Sequence, residues 1–257
     1  MTPLYGIILG VIEGLTEFLP ISSTAHLILA SKVLNIFQSD FVKSFEIVIQ
    51  FGAILAVVFL YWKKVLPNKE IIKRILAAFV PTAIVGFVLY KIIKGFLMSN
   101  LMVIVWALIL GGVAIIFLEH WHKEKENDVA EIEKMSYRQC VTVGLAQAVA
   151  MVPGVSRAAA TIFGGLLSGI KRKTIVEFSF LLAAPIMLAA SGYDLFKSGF
   201  NFSVDQFGVL AFGFVTSFLV AIVAVKFLLR YIQKHNFVWF GIYRILIGLL
   251  FLLLILN

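Results

Sequence analysis

Long apolar runs separated by short charged segments make up most of this chain. They lie at about 45–62, 75–93, 99–118, 175–196, 205–229 and 238–256. Each run is long enough to cross a hydrocarbon core as a helix, which takes about 20 residues. Because hydrocarbon offers no water to backbone polar groups, a spanning segment of this kind must be helical. The pattern predicts an all-α integral membrane protein with six transmembrane helices, in a single domain over residues 1–257.

Two further apolar regions, 4–35 and 139–168, are interrupted in the middle. Pro20 and the hydroxyl run Ser22, Ser23 and Thr24 divide the first, and the segment 153–157 divides the second. The pieces on either side of each break are too short to cross a bilayer. We expect two re-entrant helical hairpins, and we expect the helix before Pro20 to stop at that proline.

The two halves of the chain share a weak repeat. Six residues recur 133 positions later: Pro20, Ser23, Ala25, Phe45, Leu55 and Ala56 as Pro153, Ser156, Ala158, Phe178, Leu188 and Ala189. With hairpins entering from opposite faces, this pattern predicts an inverted-topology repeat of about 1–118 and 139–257. Such folds place their binding site near the membrane midplane, where the broken helices meet.

Composition and charge agree with a membrane protein and set its orientation. The chain is 61% hydrophobic and 14% charged, with a formal net charge of +8. Fifteen Lys and Arg residues lie in 63–74, 120–138, 171–173 and 226–235 on one predicted side, against five on the other (Lys32, Lys43, Lys91, Lys94 and Lys197). Because basic residues collect in cytoplasmic loops, the first side is predicted to be cytoplasmic and nucleic-acid binding is excluded.

The first break carries an unusual concentration of ionisable side chains. Glu13 and Glu17 are spaced i, i+4 and therefore share one face of a helix. A charge in hydrocarbon costs roughly 2.5–3.5 kcal/mol on insertion scales, so two on one face need compensation. Either a divalent cation such as Mg²⁺ or Ca²⁺ binds there with water, or the pair is structural and faces Arg157 or Arg244.

The second break supplies groups suited to an anion. A helix is expected to begin just after each proline, with Ser22 or Ser23 as the cap in the first hairpin and Ser156 in the second. Free N–H groups at a helix start attract anions, and the planar guanidinium of Arg157 matches phosphate oxygens. We therefore expect phosphate to be bound by Ser22, Thr24, Ser156, Arg157 and Thr161.

Two residues are candidates for the group that attacks phosphorus. Either Ser23 attacks phosphorus, with His26 as its general base, or His26 itself attacks. Glu17 either holds the cation or orients water. A capping role for the serines, or a purely structural hydrogen bond for His26, is the alternative in each case.

Several other polar residues have weaker claims to a function. Glu46 and Gln50 either lie behind the site or are structural, and Arg244 is either functional or an internal strut. The group His120, His122 and Glu124 resembles a metal-ligand set, but its position in a charged segment favours a solvated loop.

Two motifs and a third stretch carry a resemblance to a known family. EGLTEFLPISSTAHL at 13–27 and PGVSRAAAT at 153–161, followed by FLLAAPIMLAA at 180–190, closely resemble the bacitracin-resistance family of undecaprenyl-diphosphate phosphatases. The resemblance implies a bacterial inner-membrane enzyme with a divalent cation and a site toward the outer face. The implied partners are undecaprenyl diphosphate, membrane lipid and, as a homodimer, a second copy of the chain.

Residue by residue, the resemblance implies roles for the same side chains. The two glutamates of the family fall on Glu13 and Glu17 as metal ligands, and its catalytic residues fall on Glu17, Ser23, His26 and Arg157. Its second motif departs here, because Ala158 and Ala159 replace a Ser-Gly pair. The rival hypothesis is a lipid carrier or flippase for polyprenyl phosphates, favoured by the repeat alone.

Overall fold

The computed structural model describes the backbone of residues 1–92, 100–198 and 204–256, and this part of the chain is all-helical. The helices are α1 (Pro3–Thr16), α2 (Ser23–Val33), α3 (Asp40–Val65), α4 (Lys69–Ile92), α5 (Leu101–Trp121), α6 (Tyr137–Ala148), α7 (Arg157–Leu167), α8 (Arg172–Ser198), α9 (Val204–Tyr231) and α10 (Val238–Leu256). Single 3₁₀ turns lie at Ile132–Lys134 and Val149–Met151.

The prediction of six spans is confirmed within the described residues. Six helices, α3, α4, α5, α8, α9 and α10, are long and apolar enough to cross a membrane. Most extend a few residues beyond the apolar runs, because charged ends such as Lys63 and Lys64 continue the helix into the polar boundary. Of the basic residues predicted on the sparse side, Lys94 lies outside the described residues, as do the side chains of Lys91 and Lys197.

The two interrupted regions each form a pair of short helices. Thr2 caps α1, and Pro3 follows at its first turn, where a missing N–H costs nothing. A reciprocal bond pair between Ser136 and Gln139 caps α6. The expectation that α1 reaches Pro20 is wrong: α1 ends at Thr16 and residues 17–21 form a turn. Helix α1 therefore ends about one turn before Pro20, and the proline is not what terminates it.

Close backbone contacts set how the short helices pack. Helix α1 lies along α9, and α6 lies along α4. A Cβ at Gly10 of α1 would lie 2.6 Å from the carbonyl oxygen of Gly213, and one at Gly144 of α6 would overlap the carbonyl of Ala78. These helix pairs approach so closely because neither glycine has a side chain at the crossing.

The charged segment after α5 is anchored to the helices around it. Its Val129 exchanges backbone hydrogen bonds with Gly169 and Lys171, at 2.9 and 3.0 Å, just after α7. At the end of α5 the buried carboxylate of Glu119 accepts from Arg172 at 2.5 Å and from the N–H of Phe237 at 3.1 Å. This contact joins the end of α5 to the starts of α8 and α10.

We expect Gly144→Ala to destabilise the protein by about 1–3 kcal/mol, the usual cost of forcing an extra methyl group into a packed contact. Thermal unfolding in detergent measures the effect. The matched control is Gly208→Ala in α9, where an added Cβ meets nothing within 4 Å. A Gly144→Ala protein as stable as the Gly208→Ala protein would show that the α4–α6 contact relaxes easily.

Candidate active site

The two helix breaks share an unusual backbone conformation at matching positions. Ser22 precedes α2 with φ 71° and Ser156 precedes α7 with φ 78°. Positive φ is uncommon outside glycine and costs on the order of 1–3 kcal/mol unless the surroundings hold it. Both serines are buried. Something must therefore stabilise the two turns together.

Arg244 of α10 stabilises both turns at once. Its side chain is fully buried, and it is surrounded by backbone carbonyl groups rather than by a carboxylate. The guanidinium donates to the carbonyl oxygens of Pro20 (3.2 Å), Val155 (2.8 Å), Gly154 (2.9 Å), Ala107 (2.9 Å) and Leu108 (3.4 Å). The structure thus supports the strut interpretation, and the strut joins both breaks to α5.

Glu17 connects the two hairpins through its carboxylate. Its Oε2 accepts a 2.5 Å hydrogen bond from the hydroxyl of Ser23, and its Oε1 accepts one of 2.8 Å from Nη2 of Arg157. The Glu17 and Arg157 side chains are 6% and 13% exposed, so this ion pair is largely shielded from solvent. A shielded pair with this geometry orients both partners and polarises the serine hydroxyl.

Arg157 is fixed from several directions and still has a free donor. Nη1 donates to the carbonyl of Ser179 at 3.0 Å, and the guanidinium lies 5.4 Å from the ring centroid of Phe18. Its Nε is buried and has no hydrogen-bond partner among the described residues. A buried cationic donor without a partner is costly in free energy, and this atom itself has almost no surface accessible from the cavity.

A cavity of about 290 Å³ lies between the two breaks. Its polar wall contains Glu17, Ser22, Ser23, Thr24, Ser156 and Arg157, together with Gln50, Thr82 and Gln147. Its apolar wall contains Ala150, Met151, Pro153, Gly154, Ile186, Met187 and Ala190. Six predicted site residues from regions more than a hundred positions apart therefore meet around one space, which is polar on one side and apolar on the other.

Glu13 lies behind this wall and is fully buried. Neither of its carboxyl oxygens has a hydrogen-bond partner within the described residues. Glu17, Glu46 and Arg157 are the charged groups near enough to act on it. A buried carboxylate without a donor requires a cation or a proton. The chemistry of this pair fits a cation site of Glu13 and Glu17, completed by oxygen atoms from outside the chain.

Neither ring nitrogen of His26 is hydrogen-bonded to Ser23. Its Nδ1 lies 2.8 Å from the backbone carbonyl of Ser22, and its Nε2 lies 2.8 Å from the hydroxyl of Tyr243. The two rings stack with an interplanar angle of 4°. Both ring nitrogens are thus engaged, and the hydrogen bond that polarises Ser23 comes from Glu17 instead.

The remaining predicted phosphate ligands occupy different positions. Ser156 caps α7 by accepting from the N–H of Ala159 at 3.2 Å, as predicted, whereas Ser22 makes no such side-chain bond. Thr161 is fully buried, and its hydroxyl lies 3.0 Å from Oε1 of Gln147 and 2.8 Å from the carbonyl of Arg157. Thr161 supports the wall from behind, and its role in phosphate binding stays a prediction.

The candidates with weaker claims to a function lie at different places relative to the cavity. Gln50 lines the cavity, whereas Glu46 accepts a bond from Gln38 at 3.2 Å, away from it. Glu124 accepts from the backbone N–H of Arg172. No group of three or more His, Cys, Asp or Glu residues able to hold a metal occurs in the part of the chain that the structure describes. His120 lies in the last turn of α5 and His122 is the cap residue that follows it, so the predicted loop begins nearer to Glu124.

Sequence reasoning missed the polar residues that support the site from the spans. Gln147 bridges Thr161 and Thr82, with its Nε2 3.3 Å from the Thr82 hydroxyl. Ser179 and Tyr243 hold Arg157 and His26. A glutamine or threonine inside an apolar run is a detectable signal, but a tyrosine in such a run is ordinary, so nothing in the pattern marks Tyr243.

Comparison with known proteins gives the same assignment over nearly the whole chain. Residues 6–250 match the family described as bacitracin resistance protein BacA. The chain belongs to this family. It is 50% identical over 251 residues to a protein of Aquifex aeolicus named undecaprenyl-diphosphatase, covering 98% of each chain. It is 51% identical over 253 residues to one of the same name from Sulfurihydrogenibium, covering 98% of this chain and 99% of that one.

Family membership and the six apolar helices make this a multi-pass membrane protein. The departure from the family motif falls on Ala158 and Ala159, which are 0% and 4% exposed within the core. Neither lines the cavity as the structure describes it. The missing hydroxyl therefore does not remove a group from the cavity wall.

We expect Arg244→Lys to lower the stability by about 3 kcal/mol, the order expected when a buried charge loses hydrogen-bond partners. A single ammonium has three donors at one point and cannot reach carbonyls on three sides, whereas guanidinium can. Thermal unfolding in detergent measures the change, with Arg230→Lys at the exposed end of α9 as the matched control. Equal melting temperatures for the two variants would contradict the strut.

Proposed function

We propose that this protein is an undecaprenyl-diphosphatase that removes the terminal phosphate of undecaprenyl diphosphate. The product, undecaprenyl phosphate, is the lipid carrier for peptidoglycan synthesis, and its regeneration confers resistance to bacitracin. The observation that carries the proposal is the Ser23–Glu17–Arg157 contact at the wall of a cavity inside a membrane protein. The names of relatives about half identical to this chain support the substrate.

The cavity suits a phosphate at the end of an apolar chain. Arg157 places its positive charge at the cavity wall, and the starts of α2 and α7 add N–H groups and the positive ends of two helix dipoles. These groups are preorganised in a site of low dielectric, where charge stabilisation is strong. The apolar wall, with Ile186 and Met187, suits the first isoprene units of the lipid.

Ser23 is the better candidate for attack, because it lines the cavity and its hydroxyl already contacts a carboxylate. In the first step the Ser23 oxygen bonds to the terminal phosphorus while the bond from phosphorus to the bridging oxygen breaks. The serine proton passes to Glu17, and undecaprenyl phosphate leaves. The leaving phosphate group takes this proton from Glu17, which is again a carboxylate. In the second step a water oxygen bonds to phosphorus while the bond from phosphorus to the Ser23 oxygen breaks. Glu17 takes a proton from that water and returns it to Ser23 as inorganic phosphate departs.

The charges favour a divalent cation at Glu13 and Glu17. A diphosphate brought beside two buried carboxylates is strongly repelled, and Arg157 supplies a single positive charge against them. Mg²⁺ or Ca²⁺ binds carboxylate and phosphate oxygens together, and when bound it would neutralise charge on the phosphate. The unpartnered oxygens of Glu13 support this assignment.

The arrangement of helices supports two re-entrant hairpins in an inverted-topology repeat. Helices α1 and α2 begin 134 positions before α6 and α7. At the same offset lie the crossing glycines Gly10 and Gly144, and the positive-φ residues Ser22 and Ser156. This alignment differs by one residue from the offset of 133 that the sequence identities predict, and it pairs Ser22 rather than Ser23 with Ser156.

The proposed location is the bacterial cytoplasmic membrane, with the cavity opening toward the outer face. The excess of basic residues at 63–74, 120–138, 171–173 and 226–235 supports this orientation, since such residues stay in the cytoplasm. Homodimer formation stays a prediction.

We expect purified protein to release phosphate from undecaprenyl diphosphate, and EDTA, Glu17→Gln and Arg157→Ala each to lower the rate by at least about a hundredfold. The physical reason is that positioning and charge neutralisation supply most of the acceleration in phosphoryl transfer. Phosphate release in detergent is the measurement. Glu126→Gln and Arg138→Ala, at exposed positions outside the cavity, are the matched controls.

Two results would count against the proposal. Full turnover by Arg157→Ala would remove the arginine from the phosphate site. A folded, metal-supplied parent that releases no phosphate would instead favour a carrier that moves polyprenyl phosphates between leaflets, a class in which inverted repeats are common.

The orientation has its own test. In a Cys140→Ala background, which removes the one native cysteine, Phe37→Cys and Glu126→Cys introduce exposed thiols between α2 and α3 and after α5. We expect a membrane-impermeant maleimide to label the first protein in intact cells and the second only after permeabilisation, because the charged loop is cytoplasmic. Labelling of Glu126→Cys in intact cells would reverse the orientation.

A further inference from the structure

The hydroxyl of Tyr243 contacts His26 from the helix that also carries Arg244. Tyr243 lies in α10, 217 positions from His26 along the chain. Its hydroxyl is 2.8 Å from Nε2, and the ring stacks almost parallel to the imidazole, 5.5 Å between centroids. Two geometric restraints, a hydrogen bond and a stacked ring, thus act on one histidine.

The partners of His26 determine which nitrogen carries its proton. The carbonyl oxygen of Ser22, 2.8 Å from Nδ1, can only accept, so Nδ1 must be protonated. In the neutral ring Nε2 then has a lone pair, and the Tyr243 hydroxyl donates to it. The lone pair that would take a proton from a nucleophile is therefore already engaged by the Tyr243 hydroxyl.

The hydrogen bond from His26 affects the cavity through the backbone of Ser22. The carbonyl that accepts from His26 belongs to Ser22, whose φ of 71° needs support from its surroundings. Ser23 follows directly and points its hydroxyl at Glu17. A shift of the Ser22 peptide would rotate Ser23, and displacement of a nucleophile by a fraction of an ångström is costly in rate.

We propose that Tyr243 is a positioning residue for the reaction. Its hydroxyl holds His26 in the Nδ1–H tautomer, His26 holds the Ser22 carbonyl, and this carbonyl fixes the direction of Ser23 toward Glu17. Arg244, the next residue in α10, holds the carbonyl of Pro20 in the same turn. The predicted effect of Tyr243 on catalysis rests on the proposed phosphatase activity, but the predicted tautomer of His26 does not.

The experiment combines nitrogen NMR with kinetics. His120→Gln, His122→Gln and His235→Gln together leave His26 as the sole histidine for selective ¹⁵N labelling. In this background we expect protonated Nδ1 and unprotonated, hydrogen-bonded Nε2. Tyr243→Phe should move the Nε2 resonance toward that of a nitrogen without a donor, and lower kcat about tenfold or more, with KM nearly unchanged.

Tyr231→Phe is a matched control, measured for kcat in the chain that retains all four histidines. Tyr231 also stacks on a histidine, His235, with 4.6 Å between centroids, but its buried hydroxyl has no hydrogen-bond partner among the described residues. Removing that hydroxyl should leave kcat unchanged. Both variants remove a hydroxyl group from a tyrosine beside a histidine. They differ in that the Tyr243 hydroxyl is hydrogen-bonded to its histidine and the Tyr231 hydroxyl is not.

The NMR spectrum and the kinetics together distinguish a failure of this proposal from a failure of the proposed phosphatase function. A parent with Nε2–H, or with both nitrogens protonated, overturns the proposal whether or not Tyr243→Phe folds. A changed Nε2 resonance with parental kcat also overturns it, because Tyr243 would then have no effect on the reaction. A parent with the expected tautomer but no phosphatase activity contradicts the proposed function and leaves the Tyr243–His26 geometry established.

Discussion

Arg244 satisfies backbone carbonyl groups at both helix breaks, and the rest of this site depends on these hydrogen bonds. A buried polar group without a partner costs on the order of 1–3 kcal/mol. One guanidinium supplies donors to carbonyls from both breaks and from α5. A buried arginine is itself costly, but here its charge is spread over five carbonyl dipoles. The two turns can therefore hold positive-φ serines side by side.

With the turns fixed, the two hairpins contribute opposite charges to one cavity. The first carries Glu13 and Glu17, and the second carries Arg157. Their meeting point is the Glu17–Arg157 pair, but the pairing is incomplete: the oxygens of Glu13 and the Nε of Arg157 have no partners within the described structure. Unsatisfied groups of both signs at a cavity wall and behind it are expected of a site that binds a charged ligand, rather than of a purely structural ion pair.

Different parts of the fold supply the residues at the cavity wall and the residues that hold them in position. The two helix breaks carry Glu17, Ser23 and Arg157 at the cavity wall, and long helices carry residues that hold this region in place: Ser179 on α8, Tyr243 and Arg244 on α10. Thr82 on α4 and Gln147 on α6 extend the wall with hydrogen-bonded polar groups. Small displacements of a nucleophile have large effects on rate, so support from rigid spans is as important as the cavity residues themselves.

Much of this protein follows from sequence alone. The period and length of the apolar runs determine six helices, because hydrocarbon permits few alternatives for a backbone. Glu13, Glu17, Ser23 and Arg157 stand out as candidates because polar groups in such runs are expensive. Tertiary structure decided the rest: that α1 ends at Thr16, that Thr161 lies behind the wall, and that His26 is hydrogen-bonded to Tyr243 and not to Ser23. These features depend on which side chains meet in space, across 217 positions for His26 and Tyr243. The local pattern of polar and apolar residues contains no information about those contacts.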